Sequence, residues 1–344
     1  MNKLDIKSYN LIELQSLFEG LPKFRTAQVY KWIVAGVSDF DEMSNLPKDL
    51  REKLRESFYI ANCEVATKQV SQIDGTVKYL FKLFDGEYIE AVFMKYHHGN
   101  TLCISTQVGC KMNCSFCATG KQGFTRNLTA SEMLAQITRA EIDTGQRISN
   151  VVLMGMGEPL DNYDNVLKFL KLVSSSDNIN IGMRHISLST CGLVDKINEL
   201  SKEKLQLTLS VSLHAPSDEV RNKTMPVNKK YNVKTLIDAC KNYGKVTGRR
   251  ISFEYAMIKG VNDSKEDAQK LADVLRGIMC HVNLIPVNEV KENNYIKSSK
   301  KTLNDFIYIL EKNGLTATIR RTLGSDIDAS CGQLRGKNLG KEMM

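Results

Sequence analysis

Three cysteines close together in the chain have the types and spacing to hold a metal centre. Cys110, Cys114 and Cys117 follow the pattern C-x3-C-x2-C, and Cys103 precedes them. Thiolates are ligands both of iron–sulfur clusters and of structural zinc, but a zinc site normally takes four ligands from two paired groups. The chain has no second C-x2-C pair. The run therefore favours a four-iron cluster with one iron left open, with structural zinc as the alternative.

A second set of candidate residues follows or ends predicted strands. Glycine lets a ligand approach the backbone closely, and Glu158 in the motif MGMGEPL offers an acceptor for an ammonium group. Taken singly, each of these residues is ordinary, and His214 alone is more typical of a core histidine. The set comprises Gly157, Glu158, Ser189, Ser212, Leu213, His214 and Asn288.

Three further side chains could take part in covalent or proton chemistry. Cys331 in GSDIDASCGQL, like Cys103, is either a buried inert thiol or a nucleophile able to attack a methyl sulfonium. From sequence alone the inert thiol is the preferred interpretation of Cys331. Glu90 lies in a predicted strand, where an isolated glutamate is expected to face water.

The elements that must position these residues alternate between strands and helices from Thr101 onward. Strands are predicted at residues 102–107, 149–155, 184–190, 205–213, 250–257 and 281–287. Helices are predicted at residues 130–144, 162–174, 193–200, 233–247, 264–277 and 301–313, the first opened by a capping box at Thr129. This alternation predicts an α/β fold with a parallel sheet, and six units predict a partial (βα)6 barrel with its site at the C-terminal strand ends.

The flanking segments have different patterns. Helical spacing predicts a small N-terminal helical domain over residues 1–65, in which Thr26 caps the second helix. Alternating residues that turn at Asp85-Gly86 predict a β-hairpin linker over residues 66–100. The barrel then covers residues 101–320, and a tail over residues 321–344 carries Cys331.

Composition and charge limit the class of protein. No apolar run is long enough to span a bilayer, no signal peptide is evident, and nine cysteines, an odd number, fit a reducing cytoplasm. The net charge is +8, and residues 221–250 hold nine basic side chains against one acid. This segment indicates either an RNA-binding surface or a solvated lysine-rich face.

The motifs together resemble a known family. The run C-x3-C-x-F-C is similar to the signature of the radical S-adenosylmethionine (SAM) superfamily. CATGKQGFTRNLT, MGMGEPL, SLHA, MPVN, GVND, NLIPVN and RRTLGSDIDASCGQL, in this order, resemble the RlmN/Cfr group of radical SAM RNA methyltransferases. The resemblance extends from about residue 9 to about residue 335.

The resemblance implies cofactors and roles for individual residues. It implies a [4Fe-4S] cluster on Cys110, Cys114 and Cys117, and SAM bound by Gly157, Glu158, Ser189, Ser212, Leu213, His214 and Asn288. It also implies that Cys331 accepts a methyl group, that Cys103 later forms a transient disulfide with it, and that Glu90 accepts a proton from the substrate.

The implied substrates are RNA molecules. The expected reaction is methylation of adenine C2 in 23S rRNA and in tRNA, next to the anticodon on its 3′ side, by a monomer served by flavodoxin or ferredoxin. The alternatives are the C8-methylating branch, which confers antibiotic resistance, and a non-catalytic zinc-stabilised RNA-binding protein. Pro159 and Pro286 favour the C2 branch.

Overall fold

The N-terminal part of the chain forms a helical unit with its own core. The computed structural model describes residues 3–287, 295–328 and 334–336. The unit consists of β1 (Leu4–Asp5), α1 (Leu11–Leu17), α2 (Lys23–Ala35), α3 (Lys48–Ser57) and β2 (Phe58–Tyr59). Twelve buried apolar side chains, among them Leu14, Val29 and Leu54, pack against each other apart from the barrel core. Thr26 is buried inside α2, which begins after Pro22, so the predicted threonine cap is wrong.

Three antiparallel strands follow where one hairpin is predicted. They are β3 (Cys63–Val70), β4 (Val77–Leu83) and β5 (Tyr88–Tyr96). The turn between β4 and β5 contains Gly86 at φ 88° and matches the predicted Asp85-Gly86 turn. β5 also pairs with the first barrel strand, so these strands extend the main sheet.

The remaining described residues form the α/β barrel. Its elements are β6 (Gly99–Cys103), β7 (Gln107–Gly109), α4 (Ala118–Lys121), β8 (Phe124–Asn127), α5 (Ala130–Thr144), β9 (Asn150–Leu153), α6 (Tyr163–Ser174), β10 (Ile186–Thr190), α7 (Val194–Lys202), β11 (Thr208–Ser212), α8 (Asp218–Thr224), α9 (Val233–Thr247), β12 (Ile251–Met257), α10 (Lys265–Leu275), β13 (Cys280–Pro286), α11 (Lys300–Lys312) and β14 (Thr316–Ile319).

The ten-stranded sheet has the order β14-β13-β12-β11-β10-β9-β6-β5-β4-β3. Neighbouring strands are parallel from β6 through β14 and antiparallel from β6 to β3. The partial barrel is therefore confirmed, with β14 as a seventh parallel strand that the sequence interpretation missed.

A short ribbon holds the cysteine run in place. β7 pairs antiparallel with β8, and the cysteines lie in the loop between them. A Cβ on Gly109, at φ 78°, would lie 2.0 Å from the carbonyl oxygen of Gly123. Only glycine allows this approach, which lets the Cys110 amide donate to Gly123 at 2.7 Å.

Helix α5 joins the barrel to the N-terminal unit. Thr129 and Glu132 form the predicted capping box, with both side-chain-to-backbone bonds present. The Asp5 carboxylate accepts hydrogen bonds from Thr129 and Ser131 at this helix start. Among the described residues, no helix is both long and apolar enough to cross a membrane.

Candidate active site

A cavity of about 300 Å³ lies at the C-terminal ends of the parallel strands. Residues from the end of β9 through the residue after β14 line it, so the sheet curves around it. The lining includes eight residues predicted from the sequence, namely Cys110, Cys114, Cys117, Gly157, Glu158, Ser189, Ser212 and His214. The fold thus brings side chains that are more than one hundred positions apart to one place.

The three thiols of the run line this cavity, with Cys110 and Cys114 buried and Cys117 half-buried. Desolvation raises the pKa of Cys110 to about 12 and also raises the pKa of Cys114. Such thiols lose their protons readily only when metal ions supply positive charge nearby. The donor set, three thiols in one cavity wall, therefore fits an iron–sulfur cluster with one open iron. In the described part of the chain, no three His, Cys, Asp or Glu residues are grouped so as to hold a single metal ion.

Glu158 offers a buried carboxylate to the cavity. Its Oε2 accepts from the Cys191 amide at 2.7 Å and its Oε1 accepts from the Leu160 amide at 3.0 Å. Desolvation raises the pKa of this carboxyl, and these hydrogen bonds oppose the rise. A carboxylate held in this way is a suitable partner for an ammonium group.

Gly157 lets the Glu158 loop approach the neighbouring strand. Its φ is 103°, and a Cβ there would lie 2.6 Å from the Cβ of Gln107. The Glu158 amide donates to Gln107 Oε1 at 2.8 Å. The loop is thereby fixed against β7, which also leads into the cysteine run.

His214 is a neutral, fixed imidazole in the wall of the cavity. Burial and the nearby Arg221 lower its pKa to about 3. Its Nδ1 accepts from the Ala256 amide at 2.9 Å, so the proton is on Nε2. The Asn262 side chain donates to the His214 carbonyl at 2.7 Å, where the backbone has a φ of 56°. His214 is therefore both a satisfied buried histidine and a cavity residue.

Leu213 and Arg221 support the cavity without lining it. The Leu213 side chain is fully buried, and its carbonyl accepts from Arg221 Nε at 3.1 Å. Arg221 Nη2 also donates to the carbonyls of Cys191 and Ser212, at 2.6 and 3.2 Å. The sequence interpretation counted Arg221 within a basic stretch that either binds RNA or faces solvent. Instead it is completely buried and ties the ends of β10 and β11 together.

Two charged residues of the cavity were missed as site residues. Glu254 is buried on β12 and accepts from Asn283 and Ser252, at 2.7 and 3.0 Å, while desolvation raises its pKa. Arg320 lines the cavity just after β14. A glutamate among apolar residues in ISFEYAM was the available signal for Glu254, and the RRTLG motif was the signal for Arg320.

Glu90 and Cys103 lie on the inward face of the sheet, outside the cavity lining. Cys103 on β6 is opposite Val92 on β5 and shares a buried apolar cluster with Met154, which also lines the cavity. Glu90 precedes Val92 by two residues, so it lies on the same face. It is 1% exposed, which shows that the expectation of a water-facing carboxylate is wrong.

A fully buried lysine accompanies Glu90. Lys78 Nζ lies 2.6 Å from Glu90 Oε2, and the Arg335 amide donates to Glu90 Oε1 at 2.6 Å. The two remaining predicted site residues, Asn288 and Cys331, lie outside the described residues.

Comparison with known proteins gives matches along nearly the whole chain. A sequence model of the Radical SAM superfamily matches residues 104–272, and one described as ribosomal RNA large subunit methyltransferase N-terminal domain matches residues 4–60. The chain is 53% identical over 334 residues to a probable dual-specificity RNA methyltransferase RlmN from Clostridium novyi, covering 96% of this chain and 97% of the relative. A protein of the same name from Alkaliphilus oremlandii is 53% identical, covering 98% of this chain and 99% of the relative.

A solved structure shows the same architecture. The crystal structure of a radical SAM methyltransferase from Sphaerobacter thermophilus matches with a TM-score of 0.90 and 42% identity, over 96% of this chain and 98% of that one. Full-length identity, both sequence models and the shared architecture agree with the geometry of the cysteine loop and its cavity. The chain therefore belongs to the RlmN family of radical SAM RNA methyltransferases.

Proposed function

We propose that this protein is a SAM-dependent RNA methyltransferase that methylates C2 of an adenine in 23S rRNA, at the peptidyl-transferase centre, and in tRNA next to the anticodon. The name of its relatives, dual-specificity RNA methyltransferase, supports two RNA substrates. The observation that carries the proposal is the cavity that joins the three thiols to Glu158 and His214, next to the sheet face that holds Cys103 and Glu90.

The cavity is the proposed cofactor site. Cys110, Cys114 and Cys117 would hold the [4Fe-4S] cluster. Glu158 and the cavity residues at the ends of β10 and β11 would hold SAM. When bound, the cluster and SAM supply a transferable methyl group and a radical that removes a hydrogen atom. His214 presents an N–H donor and stays uncharged across the physiological pH range, so it adds no second positive charge beside a sulfonium.

Cys331 is the proposed methyl acceptor. The described residues on both sides of it are held against the sheet near Glu90. Asp328 exchanges two hydrogen bonds with Gln69 on β3, and Arg335 donates to Glu90 on β5. Cys331 is three residues from Asp328, which an extended chain spans in about 10 Å. In the proposed reaction its thiol loses a proton and its sulfur takes the methyl group from the sulfonium of SAM, which would leave as a neutral thioether.

Glu90 and Cys103 have the proposed roles that complete the reaction. After the methyl carbon of Cys331 has bonded to adenine C2, Glu90 takes the C2 proton, and the one electron that the adduct loses with it would return to the cluster. The Cys103 thiolate then attacks the Cys331 sulfur, so a disulfide forms and the bond from that sulfur to carbon breaks. The carbon keeps the electron pair of that bond and takes up a proton to become the methyl group. The buried Lys78 ammonium pairs with Glu90 Oε2, and the Arg335 amide donates to Glu90 Oε1. These two contacts fix the position of the carboxylate, which supports this role.

The domain organisation follows from these roles. We assign residues 1–65 as the accessory domain, 66–100 as the linking strands, 101–320 as the barrel and 321–344 as the tail that brings Cys331. An electron donor such as flavodoxin or ferredoxin would serve the monomer.

The test is an anaerobic assay with SAM, a reductant and either tRNA or 23S rRNA fragments, with the product located by mass spectrometry. We expect 2-methyladenosine. Pro159 and Pro286, through which the sequence resembles this branch, both line the cavity. A methyl group on C8, or a purified protein that contains zinc and no iron, would contradict the proposal.

Two cysteine variants separate the steps. Cys331→Ala should abolish methyl transfer at the first step, which intact-mass measurement of the protein with SAM alone detects. Cys103→Ala should still accept the methyl group but remain covalently joined to RNA. Absence of such an adduct would show that Cys103 does not release the product.

A further inference from the structure

Two phenylalanine side chains next to the cysteine loop are exposed where apolar rings are not expected. Phe84, in the turn between β4 and β5, is 63% exposed, and Phe124, at the start of β8, is 39% exposed. Large apolar side chains that are exposed close to each other usually mark an interaction site.

The rings belong to a continuous row of aromatic and cationic side chains, here called the aromatic stripe. Its members in order are Lys111, Phe124, Arg126, Phe84 and Tyr59. Lys111 Nζ lies 5.6 Å from the Phe124 ring centre, Arg126 Cζ lies 5.9 Å from that of Phe84, and the Phe84 and Tyr59 ring centres are 5.3 Å apart. Phe124 and Arg126 are two residues apart on one strand, so they share a face.

Ion pairs hold the cations of the stripe in place. Arg126 donates to both carboxylate oxygens of Glu132, at 2.8 and 2.9 Å, and to Asp85 at 2.6 Å. Lys111 Nζ lies 2.7 Å from Asp161. Because both cations are already paired with carboxylates, the stripe has little positive charge left for phosphate groups. What it offers to a ligand is the flat apolar faces of its rings.

The stripe borders both parts of the proposed reaction centre. Lys111 follows Cys110 directly, and its partner Asp161 lies in the same short helix as Pro159, which lines the cavity. At the other side, Arg335 contacts Gln122 and Glu87, two and three residues from the exposed rings, and its amide contacts Glu90.

We propose that the aromatic stripe binds an unpaired segment of the RNA substrate by stacking bases on Phe84 and Phe124. Every base has a flat face that stacks on an aromatic ring, and a cation over the ring, as Lys111 lies over Phe124 and Arg126 over Phe84, strengthens such contacts. Only unpaired bases can reach the rings, so the stripe selects a loop or an opened helix beside the target adenine. This inference rests on the proposed function, because it takes RNA as the substrate.

Stacking leaves a salt signature that differs from phosphate binding. Phosphate contacts release counterions, so their removal flattens the dependence of affinity on salt. Base stacking on a ring releases few ions, and the stripe cations are already paired. Removal of the rings should therefore weaken RNA binding by a similar factor at low and at high salt.

The experiment measures binding of a tRNA anticodon stem–loop that carries 2-aminopurine in the loop, whose fluorescence is quenched on stacking. We expect Phe84→Ala and Phe124→Ala each to weaken binding about tenfold, to leave the salt slope unchanged and to reduce the quenching. Phe84→Tyr should bind as the wild type does. Phe84→Leu, apolar but not flat, should behave like the alanine variant.

Matched controls separate this proposal from the proposed function. Tyr308→Ala removes an exposed ring on the outer helix α11 and should change nothing. Wild-type affinity and quenching in the Phe84→Ala/Phe124→Ala double variant, with an unchanged melting temperature, would overturn the stripe proposal alone. A wild-type chain that neither methylates Cys331 nor any RNA would instead overturn the proposed function.

Discussion

Glu158 is a carboxyl group that folding removes from water, and its chemistry follows from that burial. Desolvation raises its pKa from the ordinary value of 4.5, and hydrogen bonds from the amides of Cys191 and Leu160 reduce the rise. The folded chain therefore binds the proton more tightly than the unfolded chain does. The Glu158 carboxyl therefore contributes to the free energy of unfolding below pH 4.5. That contribution is lost as the pH rises through the raised pKa of the folded protein.

Glu158→Gln should make the stability of the SAM-free protein less dependent on pH. The amide does not titrate, so the free energy of unfolding should fall less between pH 4.5 and neutral pH than in the wild type. Melting temperatures across that range are the measurement, with the exposed Glu56→Gln as the control.

The same variant should bind SAM more weakly. Loss of a charged hydrogen bond to an ammonium group costs about 1.5–3 kcal/mol, or about ten- to one-hundred-fold in affinity. Calorimetry on the cluster-loaded protein measures this. An unchanged affinity would show that Glu158 does not receive the amine.

Lys78 and Glu90 form an ion pair that water does not screen, with 0% and 1% of their side chains exposed. Lys78→Met removes the buried ammonium from beside the carboxylate and should cost about 3–5 kcal/mol of stability. Lys78→Met/Glu90→Gln removes both charges and should recover most of that loss. Urea unfolding of both variants measures the coupling.

In the Lys78→Met/Glu90→Gln variant, stability should recover but release of the RNA product should not. Without a carboxylate at position 90, the double variant should accumulate the covalent protein–RNA adduct, visible as a shifted band on a denaturing gel. Lys78→Arg keeps the charge and should release the product. Product release by the double variant at the wild-type rate would remove Glu90 from the proposed role.

At the scale of elements, the segment after β14 is attached to the extended part of the sheet by polar contacts. The Gly324 amide donates to Asp74 at 2.8 Å, Ser71 donates to Asp326 at 2.6 Å, and Gln69 exchanges two hydrogen bonds with Asp328. The strands β3 and β4 thus do more than link two domains, because they hold the segment that leads to Cys331.

Gln69→Glu should loosen this attachment by placing a carboxylate against Asp328. Loss of the hydrogen bond that the Gln69 side chain donates to Asp328, together with the added repulsion, should cost about 1–2 kcal/mol locally. We expect faster proteolysis of the C-terminal segment and slower methylation of Cys331, followed by intact mass. Glu64→Gln, an exposed position on the same strand, is the control, and equal rates in all three proteins would contradict the tail attachment.

Sequence patterns predicted the elements that obey local rules. Helices α5 and α9 have the predicted bounds, since each combines an N-terminal cap, an apolar face and a glycine at its end. Strand β14 was missed because its four residues, mostly exposed at the sheet edge, lack a continuous apolar signal. Strand β3 was missed in part because exposed polar residues alternate with half-buried ones.

The site residues that belong to sequence motifs were predictable. The residues whose roles depend on tertiary contacts were not. Cysteine spacing and strand ends located the residues that line the cavity. Nothing in the sequence shows that Arg221 lies buried beneath Leu213, or that Lys78 pairs with Glu90 twelve positions away. Such contacts depend on how neighbouring strands and loops meet.

For the whole molecule, the distribution of charge decides where RNA can lie. The basic residues 221–250 do not form one surface. Lys223, Lys229 and Lys230 follow the C-terminal end of β11, beside Met225 in the cavity wall. Helix α9 then runs towards the opposite end of the barrel over about 22 Å, taking Lys241 and Lys245 with it.

Replacing the two lysine sets should therefore have different effects on RNA binding. Lys223→Ala/Lys229→Ala/Lys230→Ala should weaken binding and lower the slope of log affinity against log salt by up to about one unit for each phosphate that the protein no longer neutralises. Lys241→Ala/Lys245→Ala changes the net charge by nearly as much but alters the far end, so the slope should remain that of the wild type. Filter binding of tRNA over a series of salt concentrations measures both. Equal weakening in the two variants would mean that RNA responds to net charge alone, and that the cavity end of the barrel has no special part in binding it.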